Sequence, residues 1–188
     1  MAKLIEKVYG DALFQLAVEE GRVDEFYDAA NRVYKLLHEY VGDDSMIAHI
    51  LAHPKIAREE KVRMVEKSFR GRVPDEMTAL FMLLVEKNHM DKLDDVMLYV
   101  IQQTKEYKRI GVAHVKTAVP LTEEQKKAVE KRLLETTDYL SFEMDYKTDP
   151  ALIGGMVIRI NDRVIDSSIQ SKLYALRREL SQIQVNNL

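Results

Sequence analysis

His49 and His53 are the residues of this sequence whose spacing most invites a metal hypothesis. Four residues apart on a helix, two histidines share one face, as in zinc proteases, where a glutamate after the first histidine acts as the base. Here Ile50 occupies that glutamate position, and Pro54 follows the second histidine directly. A zinc site needs three or four convergent ligands, and no others cluster nearby in the sequence. We therefore expect no metal site. The alternative is a small metal-dependent enzyme that uses these two histidines.

The C-terminal part contains glycines and carboxylates that could also do chemistry. Gly154-Gly155 lacks the Gly-Lys-Ser/Thr ending of a phosphate-binding loop and precedes a strand pattern rather than a helix. Four aspartates could suggest paired acid–base carboxylates: Asp145, Asp149, Asp162 and Asp166. The last three occur in turn or helix-cap contexts, and no Gly-x-Ser-x-Gly nucleophile elbow is present. We expect no catalytic residue and no cofactor, so the function must lie in binding surfaces.

Composition narrows the class of protein further. With 188 residues, the chain can form one domain or two small ones. The net charge of -3 and the absence of a long Lys/Arg block argue against a nucleic-acid partner. The absence of cysteine excludes disulfides and thiolate chemistry. No run approaches the roughly 18 apolar residues of a membrane span, and the first residues do not form a signal peptide.

Residues 3 to about 110 show helical periodicity, interrupted at glycines and prolines. The interruptions divide this part into six predicted helices: 3–20, 24–41, 45–52, 58–69, 74–87 and 91–107. The pattern changes at Gly111, where short alternating segments predict strands over 112–119 and 140–146. Between them, Thr122 and Gln125 form a capping-box pattern at the start of a helix.

The segment after Pro150 predicts a β-hairpin and then a helix. Met156, Ile158 and Ile160 alternate with other residues, and Asn161-Asp162 is a two-residue turn. Ser167 is expected to cap the following helix. The sequence therefore predicts an α+β protein. An N-terminal all-α six-helix bundle, residues 1–107, precedes a small C-terminal α/β domain, residues 108–188, with a β-hairpin and a terminal helix.

Several segments resemble one family in fixed order along the chain. Leu152 to Ile160, followed by Val164-Ile165-Asp166 and Ser168, resembles the C-terminal signature of the delta subunit of F-type ATP synthases. The mitochondrial homologue of that subunit is the oligomycin-sensitivity-conferring protein. The resemblance extends over the chain through further segments: Tyr9 to Ala17, His53-Pro54 with Lys61 and Phe69, and Val115 to Gln125.

The resemblance implies a non-catalytic stator connector of a proton- or sodium-translocating F-type ATP synthase. Such a connector links the alpha/beta catalytic head to the peripheral stalk, so that rotation is coupled to ATP synthesis. It implies membrane association only through the complex. Because no transit segment precedes Met1-Ala2-Lys3, we expect a peripheral position at the cytoplasmic face of a bacterial cell membrane. A free-standing adaptor that binds unrelated helical peptides is an alternative.

The helices over 3–18 and 75–87 are apolar on more than one stripe. Either they are central helices of the bundle, or they border a groove for a partner helix. The resemblance implies that the N-terminal helix of an alpha subunit docks between them. The residues expected to bind it are Tyr9, Ala12, Leu13, Leu16, Ala17, Met77, Leu80, Phe81 and Leu84.

The last helix carries a narrow apolar seam. Ile169, Leu173, Leu176, Leu180 and Ile183 follow heptad spacing, with basic residues beside them. Either this seam packs on the domain's own sheet, or it joins other helices. The resemblance implies contact with the C-terminal helices of the b subunits in the peripheral stalk. The residues expected there are Ile169, Lys172, Leu173, Leu176, Arg177 and Leu180.

Overall fold

The computed structural model describes residues 2–38, 53 and 56–185, with side-chain burial for residues 5–38, 53 and 56–178. The helices are α1 (Ala2–Glu19), α2 (Val23–His38), α3 (Arg58–Phe69), α4 (Asp75–Glu86), α5 (Leu93–Tyr107), α6 (Glu123–Thr136) and α7 (Ile169–Val185). The strands are β1 (Ile110–Thr117), β2 (Ser141–Thr148), β3 (Met156–Ile160) and β4 (Arg163–Asp166). The chain divides into two compact units, residues 1–105 and 106–188.

The N-terminal unit is helical, as the periodicity predicted. Within its described residues there are five α-helices and a 3-10 turn, Met90–Lys92. The helix predicted over 45–52 lies outside the described residues, so the count of six stays a prediction. All five helices contribute to one apolar core, through side chains that include Leu13, Phe26, Val65, Phe81 and Val100.

Local sequence accounts for where these helices begin and end. In α2, Asp24 and Glu25 lie in the first turn and Lys35 in the last, which matches the helix dipole. Gly21, at φ 67°, turns the chain between α1 and α2. Arg22 then bonds Glu25 at 2.9 Å, which joins this turn to the first turn of α2.

The C-terminal unit is a four-stranded sheet in the order β2-β1-β3-β4. β1 and β2 are parallel, and α6 connects them, whereas β3 is antiparallel to β1 and to β4. One face of the sheet and Leu133 of α6 form a second core, with Ala113, Val115, Phe142 and Ile158. The predicted capping box is confirmed, because the Thr122 hydroxyl accepts from the Gln125 backbone and the Gln125 amide oxygen accepts from the Thr122 backbone.

The hairpin forms as predicted, but the helix cap lies one residue later. β3 and β4 pair across Asn161-Asp162, and Asn161 adopts φ 50°. The prediction that Ser167 caps the terminal helix is wrong, because its hydroxyl donates to the Met156 carbonyl oxygen at 2.9 Å. Ser168 caps α7 instead, since its hydroxyl oxygen accepts from the Ser171 backbone at 3.2 Å.

Candidate functional site

Within the described part of the chain, no group of three or more histidine, cysteine or acidic side chains could hold a metal ion. His49 lies outside the described residues, so the histidine pair itself is not seen together. No helix among the described residues is both long and apolar enough to cross a membrane. The candidate sites described below are surfaces, one in each unit.

The residues expected to bind an alpha-subunit helix divide sharply by burial. Those with at most 3% of their surface exposed belong to the bundle core: Leu13, Ala17, Met77, Phe81 and Leu84. Tyr9, Leu16 and Leu80 are half-buried and pack against that core, whereas Ala12 is exposed. The core residues shape the two helices, and only the half-buried and exposed ones can meet a partner without the bundle opening.

Two contacts join each of the helices α1 and α4 to a residue that follows the other helix. The Tyr9 ring lies edge-on to the His89 ring, with centroids 6.2 Å apart. At the other end, Arg22 donates to Glu76 at 3.1 Å. Helical spacing puts Leu16 on the same side of α1 as Tyr9, and Leu80 on the same side of α4 as Glu76.

Exposed apolar side chains lie next to the half-buried Tyr9, Leu16 and Leu80. They are Val8 and Ala12 on α1 and Leu83 on α4. We call the resulting surface the α1–α4 groove, formed by Val8, Tyr9, Ala12, Leu16, Leu80 and Leu83. Val8 and Leu83 are not among the residues expected from the sequence to bind a partner, although the four-residue step from Val8 to Ala12 was a usable signal for a shared face.

The α1–α4 groove has polar atoms without partners near each end. Oε2 of Glu76 and Nδ1 of His89 are buried, and neither forms a hydrogen bond to the described residues. A buried polar atom without a partner costs free energy in the isolated chain.

The seam of α7 does not pack on the sheet over its described side chains. Ile169, Leu173 and Leu176 are 43–55% exposed, and Tyr174 next to them is also exposed. The interpretation in which this seam packs on the domain's own sheet is therefore wrong for Ile169 to Leu176. Periodicity shows that a helix has an apolar face, but it does not show what covers that face. The side chain of Leu180 lies outside the described residues.

The charges beside the seam are basic. Lys172 and Arg177 are exposed on α7, and residues 169–185 contain three cations and one carboxylate, Glu179, so the helix is net basic. An apolar stripe with basic flanks fits an amphipathic helix whose own flanks are acidic. The residues predicted to bind the stalk whose side chains are described therefore lie together on an exposed part of α7: Ile169, Lys172, Leu173, Leu176 and Arg177.

A hydrogen-bond cluster fixes the point where α7 leaves the sheet. The Asp166 carboxylate accepts from the Ser168 backbone at 2.8 Å and from the Ser171 hydroxyl at 2.6 Å. These hydrogen bonds favour the charged form and hold the pKa of Asp166 below its usual value. The Ile169 backbone also donates to the Gly154 carbonyl oxygen at 2.9 Å, which joins α7 to the turn before β3.

The sheet face opposite the core carries charged side chains around a depression of about 270 Å³. There the Asp145 carboxylate bonds His114 at 3.0 Å and lies 3.5 Å from the Lys147 ammonium. These partners hold the pKa of Asp145 below its usual value. This face has charge compensation of its own, in contrast to the apolar seam of α7.

Comparisons with known proteins agree over nearly the whole chain. A family model described as ATP synthase delta (OSCP) subunit matches residues 5–180. The chain is similar to an ATP synthase subunit delta of Lachnoclostridium phytofermentans, at 41% identity over 185 residues that cover 98% of this chain and 100% of that protein. It is also similar to an ATP synthase subunit delta of Halalkalibacterium halodurans, at 31% identity over 172 residues that cover 92% of each.

A solved structure shares the fold. It is a chain of the mitochondrial ATP synthase hexamer of Toxoplasma gondii, with a TM-score of 0.67 over 93% of this chain and 96% of that one. The sequence identity is 18%, so this likeness concerns the fold alone. The family match and the full-length relative together give the assignment: the chain belongs to the ATP synthase delta (OSCP) subunit family.

Proposed function

We propose that this chain is a stator connector that ties the alpha/beta head of an F-type ATP synthase to its peripheral stalk. Membership in the family makes it a structural, non-catalytic component of the peripheral stalk. In the proposal, the six-helix bundle of residues 1–107 binds the head, and the domain of residues 108–188 binds the stalk. The tether resists the torque that rotation exerts on the head, so that rotation is coupled to ATP synthesis.

The exposed seam of α7 is the observation that carries the proposal. Apolar side chains at heptad spacing that are not packed on their own sheet stay in contact with water, which is unfavourable. Burial of that apolar surface against a partner would stabilise the complex by roughly 25 cal/mol per Å². Ile169, Leu173 and Leu176 form that seam, and Lys172 and Arg177 flank it. The C-terminal helices of the b subunits are the partners that the family resemblance suggests, with Leu180 extending the contact.

The α1–α4 groove is the proposed seat of the N-terminal helix of the alpha subunit. Its half-buried floor of Tyr9, Leu16 and Leu80 and the exposed Ala12 and Leu83 suit an apolar helix face. A standard interface buries about 800 Å² per partner, so one docked helix supplies a modest area and needs well-packed anchors.

We place the complex at the cytoplasmic face of a bacterial cell membrane, with this chain attached peripherally through its partners. The coupling ion is a proton or sodium, and this chain binds no cofactor in the proposal. A free-standing adaptor would use the same groove for unrelated peptides. Purification of the native complex separates the two functions, since the connector co-purifies with the ATPase head and the adaptor does not.

One binding experiment tests the groove. A synthetic peptide of the alpha-subunit N-terminus is titrated into the full chain, and Ala12→Glu is compared with Ala57→Glu. Both alanines are exposed residues of the N-terminal unit, but only Ala12 lies in the groove. We expect Ala12→Glu to weaken binding by tenfold or more, about 1.4 kcal/mol, and Ala57→Glu to have no effect. Equal binding by both variants would remove the groove from the proposal.

A second experiment tests the seam, with the soluble part of the b subunit as the probe. Leu173→Ser is compared with Leu140→Ser, because both are exposed leucines of the C-terminal unit and only Leu173 belongs to the seam. We expect Leu173→Ser to bind at least tenfold more weakly, whereas Leu140→Ser binds as the parent chain does. Unchanged binding by Leu173→Ser would show that the seam is not the stalk site.

A further inference from the structure

Ile153 has a backbone conformation that an isoleucine adopts only under strain. Its φ is 64° and its ψ is -40°, and the Gly154 backbone donates to the Leu152 carbonyl oxygen at 2.6 Å. These values describe a γ-turn with positive φ at its centre, which is rare and strained. For a β-branched residue such a φ is an outlier, because the side chain crowds the backbone.

In the isolated chain, burial of the Ile153 side chain does little to offset the free energy of this strain. The Ile153 side chain is 66% exposed, so it contributes little burial to the second core. Glycine adopts positive φ without a steric penalty, and the next two residues of the turn are glycines. For folding alone, glycine would therefore be the better residue at position 153.

The γ-turn is attached to the first turn of α7. The Ile169 backbone donates to the Gly154 carbonyl oxygen at 2.9 Å. A Cβ on Gly154 would lie 2.6 Å from Cδ1 of Ile169, so the Ile169 side chain rests on Gly154. Leu152, on the other side of Ile153, is buried. The strained, exposed Ile153 therefore directly precedes the glycine on which the first residue of the seam rests.

We propose that Ile153 is an anchor residue for the partner helix that binds the α7 seam, and that it sets the end of that interface. The inference rests on the proposed stalk-binding function and adds a contact outside α7. Ile153, Ile169, Leu173 and Leu176 then form one apolar surface that begins at the γ-turn and continues along the helix.

The chemistry of this surface selects one kind of occupant. Residues 169–185 contain three cations and one carboxylate, Glu179, so the helix is net basic and the occupant is an amphipathic helix with an apolar stripe and acidic flanks. Strained backbone conformations that the surrounding structure holds in place occur often at ligand-binding sites. A side chain that is already held in one direction loses less conformational entropy on binding.

Ile153→Gly separates an anchor from a structural residue, because the two roles predict different signs. In the full chain, relief of the positive-φ strain should leave the unfolding midpoint unchanged or higher. Binding to the soluble part of the b subunit should become roughly tenfold weaker. Ile153→Val should restore most of the binding, and Ile153→Asn, which tolerates positive φ but is polar, should not.

Three other outcomes would overturn the anchor role of Ile153, and one of them would also overturn the proposed stalk site. Unchanged binding by Ile153→Gly would overturn the anchor role, and if Leu173→Ser still weakened binding, the stalk site itself would stand. Unchanged binding by both variants would overturn the proposed stalk site together with the anchor. Loss of both stability and binding in Ile153→Gly would overturn the anchor role, because it would show that the side chain supports the fold.

Discussion

Gly154 and Gly155 are adjacent, but their substitution should have very different effects. Gly155 has φ 78°, and a Cβ there would meet the backbone carbonyl of Ser167, which cannot move without moving the start of α7. The Cβ of Gly154 would meet only the end of the Ile169 side chain. We expect Gly155→Ala to lower the unfolding free energy of the C-terminal unit by about 2 kcal/mol or more.

Gly154→Ala is the matched control, and its expected cost is below about 1 kcal/mol, since Ile169 can change rotamer. Hydrogen exchange of β3 amides in the two variants measures the difference. Equal destabilisation would mean that the close approach to Ser167 does not limit the residue at position 155.

Asp166 should make stability depend on pH at the start of α7. Its pKa is lowered by hydrogen bonds from Ser171 and Ser168, so the charged form is favoured in the folded chain. This contribution is fully present above the unfolded pKa of about 4 and is lost as the pH falls through the lower folded pKa. Asp166→Asn should therefore be less stable than the parent at pH 7, and the difference should disappear at low pH.

Urea unfolding between pH 2 and pH 7 measures this convergence. Asp162→Asn, in the hairpin turn, serves as the control, because the Asp162 carboxylate forms no hydrogen bond within the described residues. A stability difference for Asp166→Asn that stays constant over the whole pH range would contradict the charge-based explanation.

At the scale of elements, local signals were sufficient where neighbouring side chains decide the structure. The Thr122 capping box and the Asn161-Asp162 hairpin depend on contacts within a few residues, and both predictions are confirmed. The environment of α7 could not be predicted in this way. Its apolar spacing is equally compatible with burial on the sheet and with exposure for a partner.

The same difficulty affects the groove residues. Leu13 and Phe81 are core residues, whereas Ala12 and Leu83 are exposed, yet all four lie in helices that are apolar on more than one side. A helix that contacts both a core and a partner has two apolar faces, and single-sequence periodicity does not separate them. Only the packing of α1 beside α4 shows which residues remain accessible.

The capping box of α6 provides a prediction with a known scale. Thr122→Ala removes an acceptor for the Gln125 backbone and should cost about 1 kcal/mol of unfolding free energy in the C-terminal unit. Gln125→Ala removes the reciprocal hydrogen bond to the Thr122 backbone, 2.9 Å long. The double variant should cost less than the sum of the two, since each bond orients the other. Additive losses would contradict a coupled cap.

Helix α7 should respond to its partner more strongly than any other element. Ile169, Leu173 and Leu176 are exposed, so tertiary packing adds little to the stability of this helix in the free chain. We expect low hydrogen-exchange protection of residues 173–178 in the free chain and at least a tenfold increase with the soluble part of the b subunit. Amides of β1, buried in the second core, should not change. Strong protection of α7 without a partner would contradict this account.

At the scale of the whole molecule, the change of pattern near Gly111 predicted a change of fold class, and β1 begins at Ile110. The two units have separate cores with no residue in common. Two cores allow one chain to hold two partners without either site depending on the packing of the other. The identity of a partner could not come from periodicity, because an exposed apolar face does not show which chain covers it.

Separate cores predict that damage to one unit stays local. Phe81 is fully buried and meets the Phe69 ring edge-on, with centroids 5.0 Å apart, so Phe81→Ala should destabilise the N-terminal unit by about 3–5 kcal/mol. Hydrogen exchange of β1 and β3 should remain as in the parent chain. Leu133→Ala is the reciprocal control and should expose the sheet amides while the protection of α2 stays unchanged. If either variant lowered protection equally in both units, the cores would be energetically coupled, and the two units would unfold as one cooperative body.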